Sequence, residues 1–157
     1  GIDAHGKRFY RRPENWRHWL KTVDFVQMNG DEAACLSGKS GFEALQQFLQ
    51  MCLKELNLSG MHITFGEQGV LSGVRSRSGV VETRHLPAVT DSITVHDIIG
   101  CGDAFGAAFL VHFLSNGEFW HAAEFANTIA ARNTTFMGSL TTELFESKIK
   151  PYAHFEK

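Results

Sequence analysis

Along this chain, short apolar stretches alternate with longer ones whose apolar residues return every three or four positions, and that alternation limits the fold more than any other feature. "VDFVQMN" (Val23 to Asn29) is short, apolar and β-branched at its start, so it predicts a strand. "GDEAACLSG" opens with acids and stops at Gly38, the order of a short helix with carboxylates at its positive end. From Phe42 to Leu56, apolar residues at 42, 45, 48, 49, 52, 53 and 56 predict an amphipathic helix with one buried face. "MHITFG" predicts a second buried strand. "VLSGVRS" and "VVETRHLP", parted near Ser78 and Gly79, predict a hairpin ended by Pro87. Residues 103–114 predict a strongly apolar helix with 105, 108, 109, 112 and 113 on one face. A further helix is expected from about Glu118 to Arg132, and a last short one from about Thr142 to Lys148. Strands alternating with helices imply an α/β sheet with a parallel core and one antiparallel hairpin.

Composition limits the chemistry. The 157 residues suit one domain, and a body of that size buries roughly 70% of its unfolded surface. A net charge of -2 gives no general attraction to nucleic acid or to acidic membranes, and no apolar run reaches the length of a membrane span. Cys35, Cys52 and Cys101 are odd in number and widely spaced, which suggests neither a disulfide framework nor a zinc knuckle. Such cysteine usage suits a reducing cytoplasm, and first residues without the charged-then-apolar order of a secretion signal suit a soluble chain.

In open α/β sheets, ligands sit beyond the carboxyl ends of strands and beside helix N-termini. That rule places Asn29, Gly66 and the turn Gly100 to Asp103 on one rim. Gly100 and Gly102 permit a tight turn with several N–H groups facing one point, and the helix behind adds its positive end, a cradle for a phosphate or a developing anion. Two readings of Asp103 stand on spacing alone. It is either an ordinary first-turn Asp favoured by the helix dipole, or a base that takes a proton from an attacking hydroxyl while the N–H groups stabilise the phosphoryl group in transfer.

"DIIGCGDAFGAAF" (Asp97 to Phe109) closely resembles the C-terminal signature of the ribokinase/PfkB family of carbohydrate kinases. Three further segments resemble the family in the same order: "QMNGDEAACLSG" its Asn-x-x-Glu segment, "ITFGEQGVL" its Thr-x-Gly-x-x-Gly nucleotide stretch, and "ANTIAARNTTFMGS" its adenine-side helix and following loop. The resemblance implies the C-terminal half of a ribokinase-like three-layer α/β sandwich, with a mostly parallel sheet and an antiparallel hairpin. It implies ATP-dependent phosphoryl transfer to a sugar or nucleoside hydroxyl, with Asp103 as base and Gly100, Cys101 and Gly102 as the anion hole. Asn29 and Glu32 would lie near the phosphates, Glu32 positioning Mg²⁺ mainly through water. Thr64, Gly66, Glu67 and Gly69 would line the nucleotide, and Asn127 would approach the adenine. Asp97 and the carbonyls of Ile99, Asn133, Phe136 and Gly138 match the family's loop for a monovalent cation such as K⁺.

The chain also departs from the family. Cys101 stands where Ala is usual and Gly30 where an acid is common; a thiol at a helix N-terminus can have a lowered pKa, or Cys simply replaces Ala by size. Family members are roughly twice as long, and nothing here resembles their sugar-binding half with its lid. Residues 1–157 are therefore expected to be one partial domain that either transfers phosphoryl groups or, without catalysis, binds nucleotide or a partner chain. A cut sheet and 13 Phe predict a cover from a second copy, from a complementing N-terminal half, or from the first twenty residues folding back. Lys7, Arg8, Arg11, Arg12 and Arg17 among aromatics read as a solvated connecting segment rather than an RNA surface, Trp16 and Trp19 as core-packing residues, and His96 as a strand residue rather than a metal ligand.

Overall fold

Four strands, β1 (Phe25–Asn29), β2 (Gly60–Thr64), β3 (Val70–Arg75) and β4 (Val81–Leu86), form one sheet in that order. They belong to a computed structural model that describes residues 4–6, 9–138 and 140–152. β1 and β2 run parallel, with Phe25 opposite Gly60 and Asn29 opposite Thr64. Parallel neighbours need a crossover, and two helices supply it: α2 (Gly30–Ser37) and α3 (Phe42–Glu55). The links at residues 65–69 and 76–80 are too short for a crossover, so β2, β3 and β4 run antiparallel in turn. The parallel pairing and the hairpin expected from the sequence are both present. The chain divides into two compact units, one of residues up to Phe65 with Leu71–His85, the other of Gly66–Val70 with everything from Leu86 onward.

In the first unit, α3 buries Leu45, Phe48, Leu49, Cys52 and Leu53, the stripe its spacing predicts. They share one core with Trp16, Met28, Ala33, Met61, Ile63 and Leu71, and each fully buried large side chain contributes roughly 1.5–3 kcal/mol. β2 is buried along its first four residues, His62 among them, and the ring meets this burial by placing Nδ1 2.9 Å from the Ser72 hydroxyl on β3. A short helix that the sequence reading did not anticipate, α1 (Trp16–Leu20), precedes the sheet. Trp16 is buried, its ring 5.7 Å from Phe48 and overlaid by the guanidinium groups of Arg17 at 4.6 Å and Arg12 at 5.6 Å. Trp19 is 57% exposed, so only one of the two tryptophans packs as expected; a five-residue helix meets the core over a single turn. Lys7 and Arg8 lie outside the described residues.

The second unit is built on α4 (Cys101–Asn116) and α5 (Phe119–Asn133). Phe105, Ala108 and Phe109 are buried on α4, and Ala122, Ala123, Ala126 and Ile129 on α5. Small residues on α5 let the larger rings of α4 approach: Phe109 stacks on Phe113 at 5.6 Å and meets Phe119 edge-on at 5.3 Å. The predicted last helix is broken into α6 (Thr142–Leu144), a π turn at Phe145–Ile149 and a 3-10 turn at Lys150–Tyr152. Pro151, which has no N–H to donate, limits its continuation. Among the described residues, no helix is long and apolar enough to cross a membrane.

Candidate active site

β1 ends at Asn29, and Asn29 opens α2. Its side-chain oxygen accepts from the Glu32 N–H at 2.9 Å, while its own N–H donates to the Glu32 carboxylate at 2.8 Å. The Asn-x-x-Glu segment is therefore a reciprocal capping box, a signal its spacing already carried. The Asn29 amide also reaches the Tyr10 hydroxyl at 3.5 Å. Beside it, a cleft of about 240 Å³ is lined by Tyr10, Arg11, Met28, Glu32, Cys35 and Leu36. Among the described residues no cluster of three or more His, Cys, Asp or Glu could hold a metal ion. The Asn29 N–H already occupies one Glu32 oxygen, so a cation beside it would draw most of its ligands from elsewhere.

Thr64 closes β2 opposite Asn29. In the second unit, Gly66–Gln68 make one 3-10 turn with Glu67 exposed, and the Gly69 N–H returns to the Gly66 carbonyl at 3.0 Å. Gly69 has φ of 88°, and a Cβ there would run into the Leu86 carbonyl and the backbone of Pro87 and Ala88. Only glycine fits. On α5, Asn127 donates its amide to the Pro87 carbonyl at 2.7 Å, which binds the helix to the residues that follow β4.

α4 begins differently. Gly100 is its N-cap at φ 79° with no side-chain capping bond, and Cys101, Gly102 and the exposed Asp103 form the first turn. The Cys101 N–H makes a long 3.4 Å bond to the Ile98 carbonyl, and Ala104 N–H returns to Gly100 at 2.9 Å. The Cys101 thiol is half-buried, and burial pushes its pKa up. The nearby N–H groups of Gly102 and Cys101 oppose that rise without cancelling it, and the charges of Asp103 and Asp97 add to it. That direction runs against the lowered pKa weighed from the sequence.

Asp97 joins two loops. One carboxylate oxygen accepts from Ile99 N–H at 3.0 Å and the other from Gly138 N–H at 3.1 Å, bonds that hold its pKa below the usual carboxylate value. The N–H groups of His96 and Asp97 both donate to the Thr134 carbonyl, at 2.8 and 3.2 Å, and the Asn133 amide reaches the Ile99 carbonyl at 3.3 Å. Asp97, Ile99, Asn133 and Gly138 are therefore stitched together, with buried Phe136 in the same loop. Both Asp97 oxygens and the Ile99 carbonyl thus already accept hydrogen bonds within this loop. His96 lies in this loop and not in a strand: its N–H is spent on Thr134, outside any ladder.

The model of the pfkB family of carbohydrate kinases matches residues 5–143. The chain belongs to that family. No curated protein matches it in sequence. Among solved structures, ribokinase from Thermotoga maritima is 22% identical with a TM-score of 0.68, over 85% of this chain and 44% of that one. Arabidopsis thaliana ribokinase, solved with ribose and ATP, is 22% identical with a TM-score of 0.67, over 78% and 38%. Adenosine kinase from Sinorhizobium meliloti is 21% identical with a TM-score of 0.66, over 82% and 37%. These likenesses establish the ribokinase-like α/β fold, and the chain spans less than half the length of each of the three.

Proposed function

We propose that this chain carries the phosphoryl-transfer part of a cytoplasmic carbohydrate kinase, an ATP-dependent enzyme acting on a sugar or nucleoside hydroxyl. The observation that carries the reading is the start of α4: a left-handed Gly100 without a side-chain cap, followed by an exposed Asp103, in a chain of the pfkB family. Asp103 accepts the proton of the acceptor hydroxyl as its oxygen forms the new bond to the γ-phosphorus. The bond from that phosphorus to the bridging oxygen breaks, and ADP leaves. The N–H groups of Gly100, Cys101 and Gly102 oppose the charge that develops. Asn29 and Glu32 serve the phosphates, Thr64, Gly66, Glu67 and Gly69 the nucleotide, and Asn127 the adenine side. Glu32 would hold Mg²⁺ mainly through water, and the ion would offset charge on the phosphates. Asp97 and the carbonyls of Ile99, Asn133, Phe136 and Gly138 hold a monovalent cation.

A second reading has its own support. This chain spans 44% or less of the length of these relatives, and turnover also needs an acceptor held in line, a positioning effect that can be worth several kcal/mol. Nucleotide binding without turnover then remains, with the apolar surface at Leu110, Val111 and Leu114 covered by a second copy or by a complementing N-terminal half.

ADP release with ATP, Mg²⁺ and a panel of sugars and nucleosides tests the first reading, on protein sized by light scattering. Turnover is expected to fall about 10²- to 10⁴-fold in Asp103→Asn with little change in ATP affinity. An Asp103→Asn protein as fast as the parent removes Asp103 from the mechanism. No turnover, together with a thermal shift at millimolar nucleotide, favours the second reading, and neither signal defeats both.

A further inference from the structure

Asn29 and Thr64 face each other as the last residues of β1 and β2, and the residues that follow them also touch. A Cβ on Gly30 would lie 3.0 and 3.1 Å from two carbons of the Phe65 ring. The backbone of Gly30 does not call for glycine, since it is absent from the positive-φ residues, and alanine is the better helix former. A side chain there would have to push the ring aside. Phe65 is half-buried, its ring 5.5 Å from that of Phe42 at the start of α3, and Phe42 in turn meets His85 edge-on at 5.0 Å. We propose that Phe65 is a positioning residue: packed against both Gly30 and Phe42, its ring fixes the Asn29–Glu32 capping box against the end of β2.

The contact acts where α2 starts. A helix N-terminus can tilt on its strand whenever the first residue has space around its Cα, and tilting moves both the Asn29 side chain and the Glu32 carboxylate. Contact with the ring removes that space on one side, and the reciprocal bonds at 2.8 and 2.9 Å carry the constraint to both polar side chains. The proposal rests on the reading of Asn29 and Glu32 as groups that serve the phosphates and their cation.

Two measurements separate this role from that reading. Hydrogen exchange of the Asn29 and Glu32 amides reports the box directly, and in Phe65→Ala both are expected to exchange about tenfold faster while Ile63 in β2 keeps its protection. Phe65→Tyr, which retains the ring, is expected to stay near the parent. Gly30→Ala should speed the same two amides alone, and add nothing in the Phe65→Ala background, because the clash is gone. The second measurement is calorimetric titration with ATP and Mg²⁺, where Phe65→Ala is expected to weaken binding about fivefold or more. If Phe65→Ala does not fold, Phe65→Leu replaces it with the same readouts. Unchanged exchange at Asn29 and Glu32, or equal acceleration at every amide, overturns the proposal. Failure of the parent chain to bind the nucleotide defeats the kinase reading instead, and the exchange data still decide whether the ring holds the box.

Discussion

α2 continues straight from the end of β1 and α4 follows a loop, and the two helices begin in opposite ways. α2 supplies its own partners, Asn29 and Glu32 bonding reciprocally across the first turn, whereas α4 starts on Gly100 with no side-chain cap. Glycine is only a few tenths of a kcal/mol poorer at an N-cap than a side-chain acceptor, so α4 gives up little stability at the place where the proposed anion hole stands. The contrast extends to apolar residues. α3 in the first unit buries its stripe, while Leu110, Val111 and Leu114 on α4 are 46%, 50% and 79% exposed. The same kind of element is thus closed on itself where it serves the fold, and left open where the proposed chemistry or a cover would need it.

Acid gives the largest expected break in the closed unit. His62 on β2 is buried beside Ser72 of β3, and burial lowers its pKa from 6.5 to about 3, so the folded protein keeps it neutral. The unfolded chain takes up the proton once pH falls below about 6.5, and the folded state does so only near 3. Stability is therefore full above 6.5 and is lost progressively down to about 3, by up to about 1.4 kcal/mol per pH unit. Urea unfolding between pH 7 and 4.5 should show this slope, and His62→Asn should flatten it. A parent chain equally stable at both ends of that range would show that the interior around His62 opens to water.

A smaller effect is expected at the open helix start. In Gly100→Ala a Cβ would meet nothing closer than the Asn133 amide at 3.8 Å, so space is not the obstacle. Backbone strain is, because φ is 79°, and an L-residue there costs roughly 1–2 kcal/mol. Denaturant midpoints of the two proteins measure it. No loss would mean that α4 does not need its left-handed cap, and the contrast with α2 would weaken.

Much of this was legible in the chain because local spacing and core placement agree. The buried stripe of α3, the stop of α2 at Gly38 and the hairpin across residues 76–80 follow from periodicity and turn residues, and the structure places them there. Of the candidate site residues, Asp97, Asn133 and Gly138 are brought together by hydrogen bonds across 41 positions of sequence or fewer, a closeness that only the family pattern could suggest. The raised pKa of Cys101 was not legible, since burial that outweighs a helix dipole depends on packing. Nor was the partnership of Gly30 with Phe65, because a glycine with an ordinary backbone shows its neighbour only when the fold is in place. The capping box could have been read, for Asn29 and Glu32 have its spacing.

That box yields the smallest expected change and the finest test of the comparison. Asn29→Ala removes the acceptor for the Glu32 N–H and should cost about 1 kcal/mol. Asn29→Asp keeps an acceptor at the N-cap and adds a charge that the helix dipole favours, so stability should stay within about 0.5 kcal/mol of the parent. The two roles of Asn29 then part. If it only caps α2, Asn29→Asp should bind ATP with Mg²⁺ as the parent does. If it also faces the phosphates, the new carboxylate repels them, and binding should weaken about tenfold at low salt and recover partly as salt screens the charge. Titration calorimetry at two ionic strengths decides between them. An Asn29→Asp chain of parental stability and parental affinity would leave α2 closed in both senses, a structural helix start with no part in the nucleotide site.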